Sequence, residues 1–189
     1  MLAERLRGVL LTPADAVQIE VPGRRSAAVL APLFLDEAGE LHAVFTQRRH
    51  DLRSHPGEIS FPGGRRDEAD ADLPATALRE TLEEVGLPPA AVELLGALQP
   101  TPTLVTNFGI YPFVGLIEPG FEWVAEAAEV AEVLELPLAA VRDGYARRRV
   151  VRRGVSFRTD TYQVGDHLIW GATARIVSDL LERLRPLQA

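Results

Sequence analysis

The stretch from Gly63 to Leu87 constrains this chain more than any other. A glycine pair opens a turn crowded with carboxylates (Asp67, Glu68, Asp70 and Asp72), which runs straight into the segment Leu73-Pro74-Ala75-Thr76-Ala77-Leu78-Arg79-Glu80-Thr81-Leu82-Glu83-Glu84-Val85. Gly86 and the Pro88-Pro89 pair predict where that helix stops, because glycine takes the left-handed cap and proline cannot continue the ladder. At about 100° per residue, Glu80, Glu83 and Glu84 fall within roughly a third of the helix circumference. Leu78, Leu82 and Val85 are predicted to face the opposite way, onto a core.

Like charges one turn apart cost only about 0.2 to 0.5 kcal/mol each, so three glutamates on one stripe are compatible with a plain solvated face. The Gly63-Gly64 turn argues for more, since it brings backbone oxygens and further carboxylates toward the same stripe. Hard oxygen ligands of this kind suit Mg²⁺ or Mn²⁺, ions that keep several waters and bridge carboxylates to substrate phosphates.

The stretch resembles the Nudix box, Gly-x5-Glu-x7-Arg-Glu-U-x-Glu-Glu-x-Gly-U, where U is a bulky apolar residue. Here it reads Gly64-x5-Asp70-x8-Arg79-Glu80-Thr81-x-Glu83-Glu84-x-Gly86-Leu87. Thr81 stands where U is expected, Asp70 replaces a glutamate, and one extra residue precedes Arg79. Asp67, Glu68 and Asp72 therefore compete with Asp70 for its place in the pattern.

Upstream, Arg48, Arg49, His50, Arg53 and His55 crowd a short segment that ends in Phe61-Pro62-Gly63-Gly64. Guanidinium groups grip phosphate oxygens through paired hydrogen bonds, so the segment is either a phosphate clamp or a solvated basic loop. It also resembles the signature of the coenzyme A pyrophosphatase subgroup of Nudix hydrolases, Leu-Leu-Thr-x-Thr-[Ser/Ala]-x3-Arg-x3-Gly-x3-Phe-Pro-Gly-Gly. The aligned residues are Val44-Phe45-Thr46-x-Arg48-Arg49-x3-Arg53-x3-Gly57-x3-Phe61-Pro62-Gly63-Gly64. Arg48 and Arg49 replace small residues of that signature. The extra residue inside the box, and the segment Ile169-Trp170-Gly171-Ala172-Thr173-Ala174-Arg175, also look like this subgroup.

Composition excludes several other chemistries. The chain of 189 residues is 47% hydrophobic and 25% charged and is expected to form one domain, residues 1–189. It has no cysteine, hence no thiolate nucleophile and no sulfur-based zinc site. The four histidines, His42, His50, His55 and His167, show no paired ligand spacing. A net charge of -7 argues against a general nucleic-acid binder. No apolar run is long enough for a bilayer, and Met1 to Arg7 lacks a signal-peptide core, so no membrane partner and a cytoplasmic location are expected.

Elsewhere, residues 1–12 are expected to contain a short amphipathic helix. Ser26 to Leu35 and Leu41 to Gln47 form a strand hairpin, Val92 to Ala97 and Ile110 to Ile117 form further strands, and Pro100 to Thr103 is a rigid loop. Glu122 to Glu135 reads as an acidic, solvent-facing edge, with Glu129 a candidate for a further ligand or base. Arg147 to Arg153 reads as one arm of a hairpin through Gly154, either solvated or meeting the far end of a substrate. Gly171 to Leu187 carries apolar residues at helical spacing. These elements suggest an α/β/α sandwich around a mixed β-sheet, and the resemblance supplies the Nudix fold.

The resemblance implies hydrolysis of the diphosphate of coenzyme A or a derivative to 3',5'-ADP and 4'-phosphopantetheine, or its acyl form. Glu80, Glu84 and Glu83, with the Gly64 carbonyl, are the expected metal ligands for Mg²⁺ or Mn²⁺. Arg79 is expected to hold an upstream carboxylate, and Glu83, Glu84 and Glu129 are candidates for the general base. Arg48, Arg49 and Arg53, with His55, are the expected phosphate-binding residues. The alternatives are another diphosphate, such as NADH, a nucleotide sugar or a dinucleoside polyphosphate, and a Nudix-like binding module without turnover.

Overall fold

The computed structural model describes residues 1–22, 25–52, 55–103, 107–152 and 154–187. In chain order it contains α1 (Leu2–Arg7), α2 (Pro13–Gln18), β1 (Arg25–Leu35), β2 (Leu41–Arg48), β3 (Ile59–Ser60), β4 (Gly63–Arg65) and α3 (Leu73–Val85). These are followed by β5 (Glu93–Ala97), β6 (Thr101–Pro102), β7 (Phe108–Leu116), β8 (Val130–Pro137), α4 (Leu138–Asp143), β9 (Tyr145–Arg152), β10 (Val155–Val164), β11 (His167–Trp170) and α5 (Gly171–Leu184).

β1 organises the mixed sheet. One edge runs parallel to β7, pairing Arg25 with Phe108 through to Leu33 with Leu116. The other edge is shared: Leu33 to Leu35 pair with β2, and Ala27 to Val29 pair with β4. The β1–β2 hairpin thus splays open, and the Gly63-Gly64 turn fills the gap against Ala28 and Val29. β2 continues the sheet to β3 and β8, and β7 continues it to β5 and β6.

A continuous apolar run belongs to a strand covered on both faces, and β1 is buried from Val29 to Phe34. Val29, Ala31 and Leu33 pack with Ala174, Val177 and Leu180 of α5. Ala28, Leu30 and Phe34 pack with Leu73, Ala77 and Val85 of α3. Two helical layers therefore clamp one sheet, the expected α/β/α sandwich. β9, β10 and β11 form a separate three-stranded antiparallel sheet, whose Tyr162 and Ile169 join the α5-side core.

Several local expectations change. The buried stripe of α3 is Leu73, Ala77, Thr81 and Val85, spaced four apart, whereas Leu82 is 43% exposed. Thr81 fills the place of a bulky apolar residue because its hydroxyl donates to the Ala77 carbonyl at 2.7 Å, which satisfies it inside the core. The acidic segment before Leu136 is not merely an edge: from Val130 onward it is a strand with Val130, Leu134 and Leu136 buried and Glu132 and Glu135 exposed, Glu135 accepting from the Trp123 indole. The expected loop at Pro100 to Thr103 contains β6, because Thr101 and Pro102 pair with Ile110 and Gly109. No helix among the described residues is long and apolar enough to cross a membrane.

Candidate active site

The turn after β4 is organised by its carboxylates, each with a different task. Asp72 caps α3, accepting from the Ala75 amide at 2.8 Å. Asp67 closes the turn through its carbonyl to the Asp70 amide and through its carboxylate to the Glu68 amide. Asp70 is buried and accepts from the Asp67 amide and the Thr76 hydroxyl, both at 2.8 Å. It is Asp70, not its neighbours, that takes the Arg79 guanidinium, at 2.8 Å from Nε and 3.0 Å from Nη2. The Arg79 hydrogen bonds hold the Asp70 carboxyl well below the usual carboxylate range, against the cost of its burial.

Arg79 uses the rest of its donor fork locally. Nη2 donates to the Arg65 carbonyl at 3.1 Å and lies 3.0 Å from Glu80, while Nη1 lies 3.0 Å from Glu83. One guanidinium thus ties the turn, β4 and the glutamate stripe together.

The two glycines meet different needs. Gly63 has φ of +148°, and a Cβ there would lie 2.4 Å from the Ala28 carbonyl oxygen, so no side chain fits between β4 and β1. A Cβ at Gly64 would lie 2.4 Å from the Glu80 carboxyl carbon, so glycine there lets that carboxylate lie on the backbone. The Gly63 amide donates to Glu84 Oε2 at 3.1 Å. Glu80 and Glu84 therefore both lie against the glycine turn. Glu83, with a side chain 56% exposed, is engaged by Arg79 instead.

Burial pushes the Glu84 carboxyl up to about 7; the Gly63 amide and Arg48 oppose the rise, and Glu80 and Glu129 add to it. Glu80 is raised as well, again chiefly by burial, with Arg79 opposing. Glu129 enters through a bulge in the β2–β8 pairing, where Gln47 faces Glu132 and Arg48 faces Val130. Arg48 Nη1 lies 3.3 Å from Glu129 Oε2, and the Arg49 amide donates to the Glu129 carbonyl at 3.0 Å. Arg48 Nε is buried without a hydrogen-bond partner among the described residues.

The other expected phosphate ligands are placed less directly. Arg49 forms a two-bond pair with Asp51, at 2.9 and 2.7 Å, and donates to the Ala127 carbonyl at 2.7 Å. His55, in a left-handed conformation with φ of 56°, pairs with Glu58. Arg53 lies outside the described residues. The three-residue group of tightly convergent ligand atoms among the described residues lies elsewhere, at Asp36, Glu40 and His42. There the contacts are those of the β1–β2 turn: Asp36 accepts from the Glu40 amide, and the His42 ring stacks on Phe34. Histidine spacing alone did not reveal that grouping.

The NUDIX domain family matches residues 24–153 of this chain. The chain belongs to the Nudix family. It is 42% identical over 163 residues to a protein of Enterobacter sp. (strain 638) described as "Uncharacterized Nudix hydrolase NudL", an alignment covering 85% of this chain and 83% of that protein. The protein of the same description from Salmonella newport (strain SL254) is 44% identical over the same length, with the same coverage. Among solved structures, the chain is similar to a MutT/nudix family protein from Enterococcus faecalis, with a TM-score of 0.59 and 16% identity over 92% of this chain and 68% of that one. The NUDIX domain of Shewanella oneidensis NrtR, solved with ADP ribose, gives 0.55 and 17% over 92% and 99%. These structural likenesses show the Nudix fold. By family the chain is a Nudix hydrolase, an enzyme of pyrophosphate substrates.

The residues of the Nudix box fit a divalent cation. Their donors are all hard oxygens, Gly64 leaves the space that a Cβ would take from Glu80, and Glu84, whose carboxyl burial lifts to about 7, lies beside the further carboxylates Glu80 and Glu129. Glu80, Glu84 and the Gly64 backbone would hold the ion, with Glu83 and Glu129 the further carboxylates within the same network.

Proposed function

We propose that this Nudix hydrolase cleaves the diphosphate of coenzyme A or a derivative, giving 3',5'-ADP and 4'-phosphopantetheine or its acyl form. The observation that carries the reading is the approach of Glu80 and Glu84 to the Gly63-Gly64 turn, directly behind Phe61-Pro62 and the upstream sequence pattern of Thr46, Arg53 and Gly57. Packing of α5 and β11 into the core of β1 supports reading residues 1–189 as one domain.

A bound Mg²⁺ or Mn²⁺ supplies charge neutralisation of the diphosphate and a lowered pKa for an attacking water. Glu80 and Glu84 supply its carboxylate ligands in this reading. Arg79 is a positioning residue, keeping Glu80 and the Asp70 turn in place. Arg48, on the rim beside Glu84 and Glu129, presents a guanidinium edge to a phosphate, and Arg49, Arg53 and His55 extend the same basic segment. Glu83, Glu84 and Glu129 are the candidate proton acceptors.

The test is a diphosphate panel at equal concentration with Mg²⁺ or Mn²⁺: coenzyme A, acyl-coenzyme A, NADH, a nucleotide sugar and a dinucleoside polyphosphate, with products identified by mass. Preferential release of 3',5'-ADP from coenzyme A is expected. Preference for another member would replace the substrate, and no metal-dependent product from any member would leave a binding module.

A further inference from the structure

On the sheet face opposite Glu80 lies an open cavity of about 520 Å³ lined by Arg25, Arg65, Arg66 and Phe108, with Asp67 and Glu68 at its margin. Strand alternation accounts for its position. Gly64 faces Glu80, so Arg65, the next residue of β4, points to the other face. Val29 and Ala31 of β1 and Ile110 and Val114 of β7 pack on the α5 side, so Arg25 and Phe108, in step with them, share that side. Arg65 pairs across the ladder with Ala27, and its guanidinium carbon lies 5.5 Å from the Phe108 ring centroid. The Arg66 amide donates to the Ser26 carbonyl at 3.1 Å, which anchors the third arginine at the same rim.

We propose that this cavity is the nucleoside-phosphate subsite: a planar base stacks on the Arg65–Phe108 pair, and Arg25 and Arg66 take a phosphomonoester on the sugar. The proposal rests on the diphosphatase reading for the identity of that nucleotide half, the 3'-phosphoadenosine of coenzyme A. Three guanidinium groups against two carboxylates leave the cavity net positive, and an arene capped by a guanidinium is a stacking surface for any base. The carboxylates of Asp67 and Glu68 are acceptors for ribose hydroxyl or exocyclic amine donors. β4 has no second strand partner among the described residues. In this reading the ligand passes around the edge of β4, with its diphosphate on the Gly64 side and its nucleoside on the Arg65 side. Arg79 joins the two sides, holding Glu80 on one and the Arg65 carbonyl on the other.

The basic hairpin is the competing location for the phosphomonoester, but Arg148 there already donates to Gln163 at 3.1 Å. The experiment measures binding of 3',5'-ADP and 5'-AMP to the metal-free protein by calorimetry, so that it does not depend on turnover. Wild type is expected to prefer 3',5'-ADP. Arg25→Ala and Arg66→Ala should each weaken it about tenfold or more, with less effect on 5'-AMP. Phe108→Leu should weaken both nucleotides, Arg148→Ala should change neither, and unfolding temperatures will confirm that each variant is folded. Absence of 3',5'-ADP binding to wild type, unchanged affinity in Arg25→Ala and Arg66→Ala, or a loss confined to Arg148→Ala would overturn the subsite. Failure to hydrolyse coenzyme A with these binding results intact would instead overturn the substrate reading and leave the subsite standing.

Discussion

Arg79 reaches back across the turn to Asp70 through two hydrogen bonds, at 2.8 and 3.0 Å, and this pair sets the register between β4 and α3. Asp70 is buried, so removal of its charge strands a guanidinium that also organises Glu80 and Glu83. Asp70→Asn is expected to destabilise the fold by about 2 to 4 kcal/mol in urea unfolding. Because the folded carboxyl titrates below its ordinary value, its contribution is present above about pH 4 and is lost as the pH falls through the folded value. The wild-type curve should therefore drop toward acid more steeply than that of Asp70→Asn.

Glu84 gives the opposite sign. Its carboxyl rises from an ordinary 4.5 to about 7, so the folded, metal-free protein binds more protons than the unfolded chain between those values. Stability of the metal-free protein should fall as pH rises through that window, by at most about 3 kcal/mol from this group. Mn²⁺ affinity should rise over the same range and level off above about pH 7, because the ion competes with that proton. Glu84→Gln should flatten both profiles, and denaturant unfolding with and without Mn²⁺ measures them.

Glu84 and Glu83 differ in place, and substitution should separate them. Glu84→Gln is expected to reduce Mg²⁺-dependent turnover by about a hundredfold or more, and Glu83→Gln by distinctly less, since Glu83 is exposed and engaged by Arg79. Equal losses in kcat would contradict the geometry.

Gly64→Ala should fold and yet lose metal-dependent activity, because its methyl group would displace the flexible end of Glu80. Gly63→Ala should be the more destabilising of the two, since its methyl group meets the backbone of β1 at a positive φ. Circular dichroism melts, read beside kcat, distinguish the two effects.

Thr81→Val should be tolerated within about 1 kcal/mol, since it removes a self-satisfied hydroxyl at nearly constant shape. Denaturant midpoints check this.

Much of the catalytic stripe was legible in short-range terms. Gly86 does cap α3, in the left-handed conformation with φ of 76°, and the β1–β2 hairpin follows its apolar pattern. The Arg79 partner was less so, because four carboxylates crowd one turn and only folding separates the helix cap Asp72 from the buried Asp70. Leu82 misled because the buried stripe of α3 runs through the small residues Ala77 and Thr81, and Leu82, one position on, falls outside it. β8 was hidden by its exposed glutamates, Glu132 and Glu135, which break a simple apolar alternation around the buried Val130, Leu134 and Leu136.

The order of residues alone settled the helix limits, the glycine turn and the supply of carboxylates and guanidiniums, since these depend on neighbours a turn or two away. Which carboxylates meet was decided by long-range pairing: β4 beside β1 places Gly63 and Gly64 under Glu84 and Glu80, and the β2–β8 bulge brings Glu129 to Arg48. Burial, which lifts Glu84 to about 7, likewise exists only once these strands and α3 have closed over it.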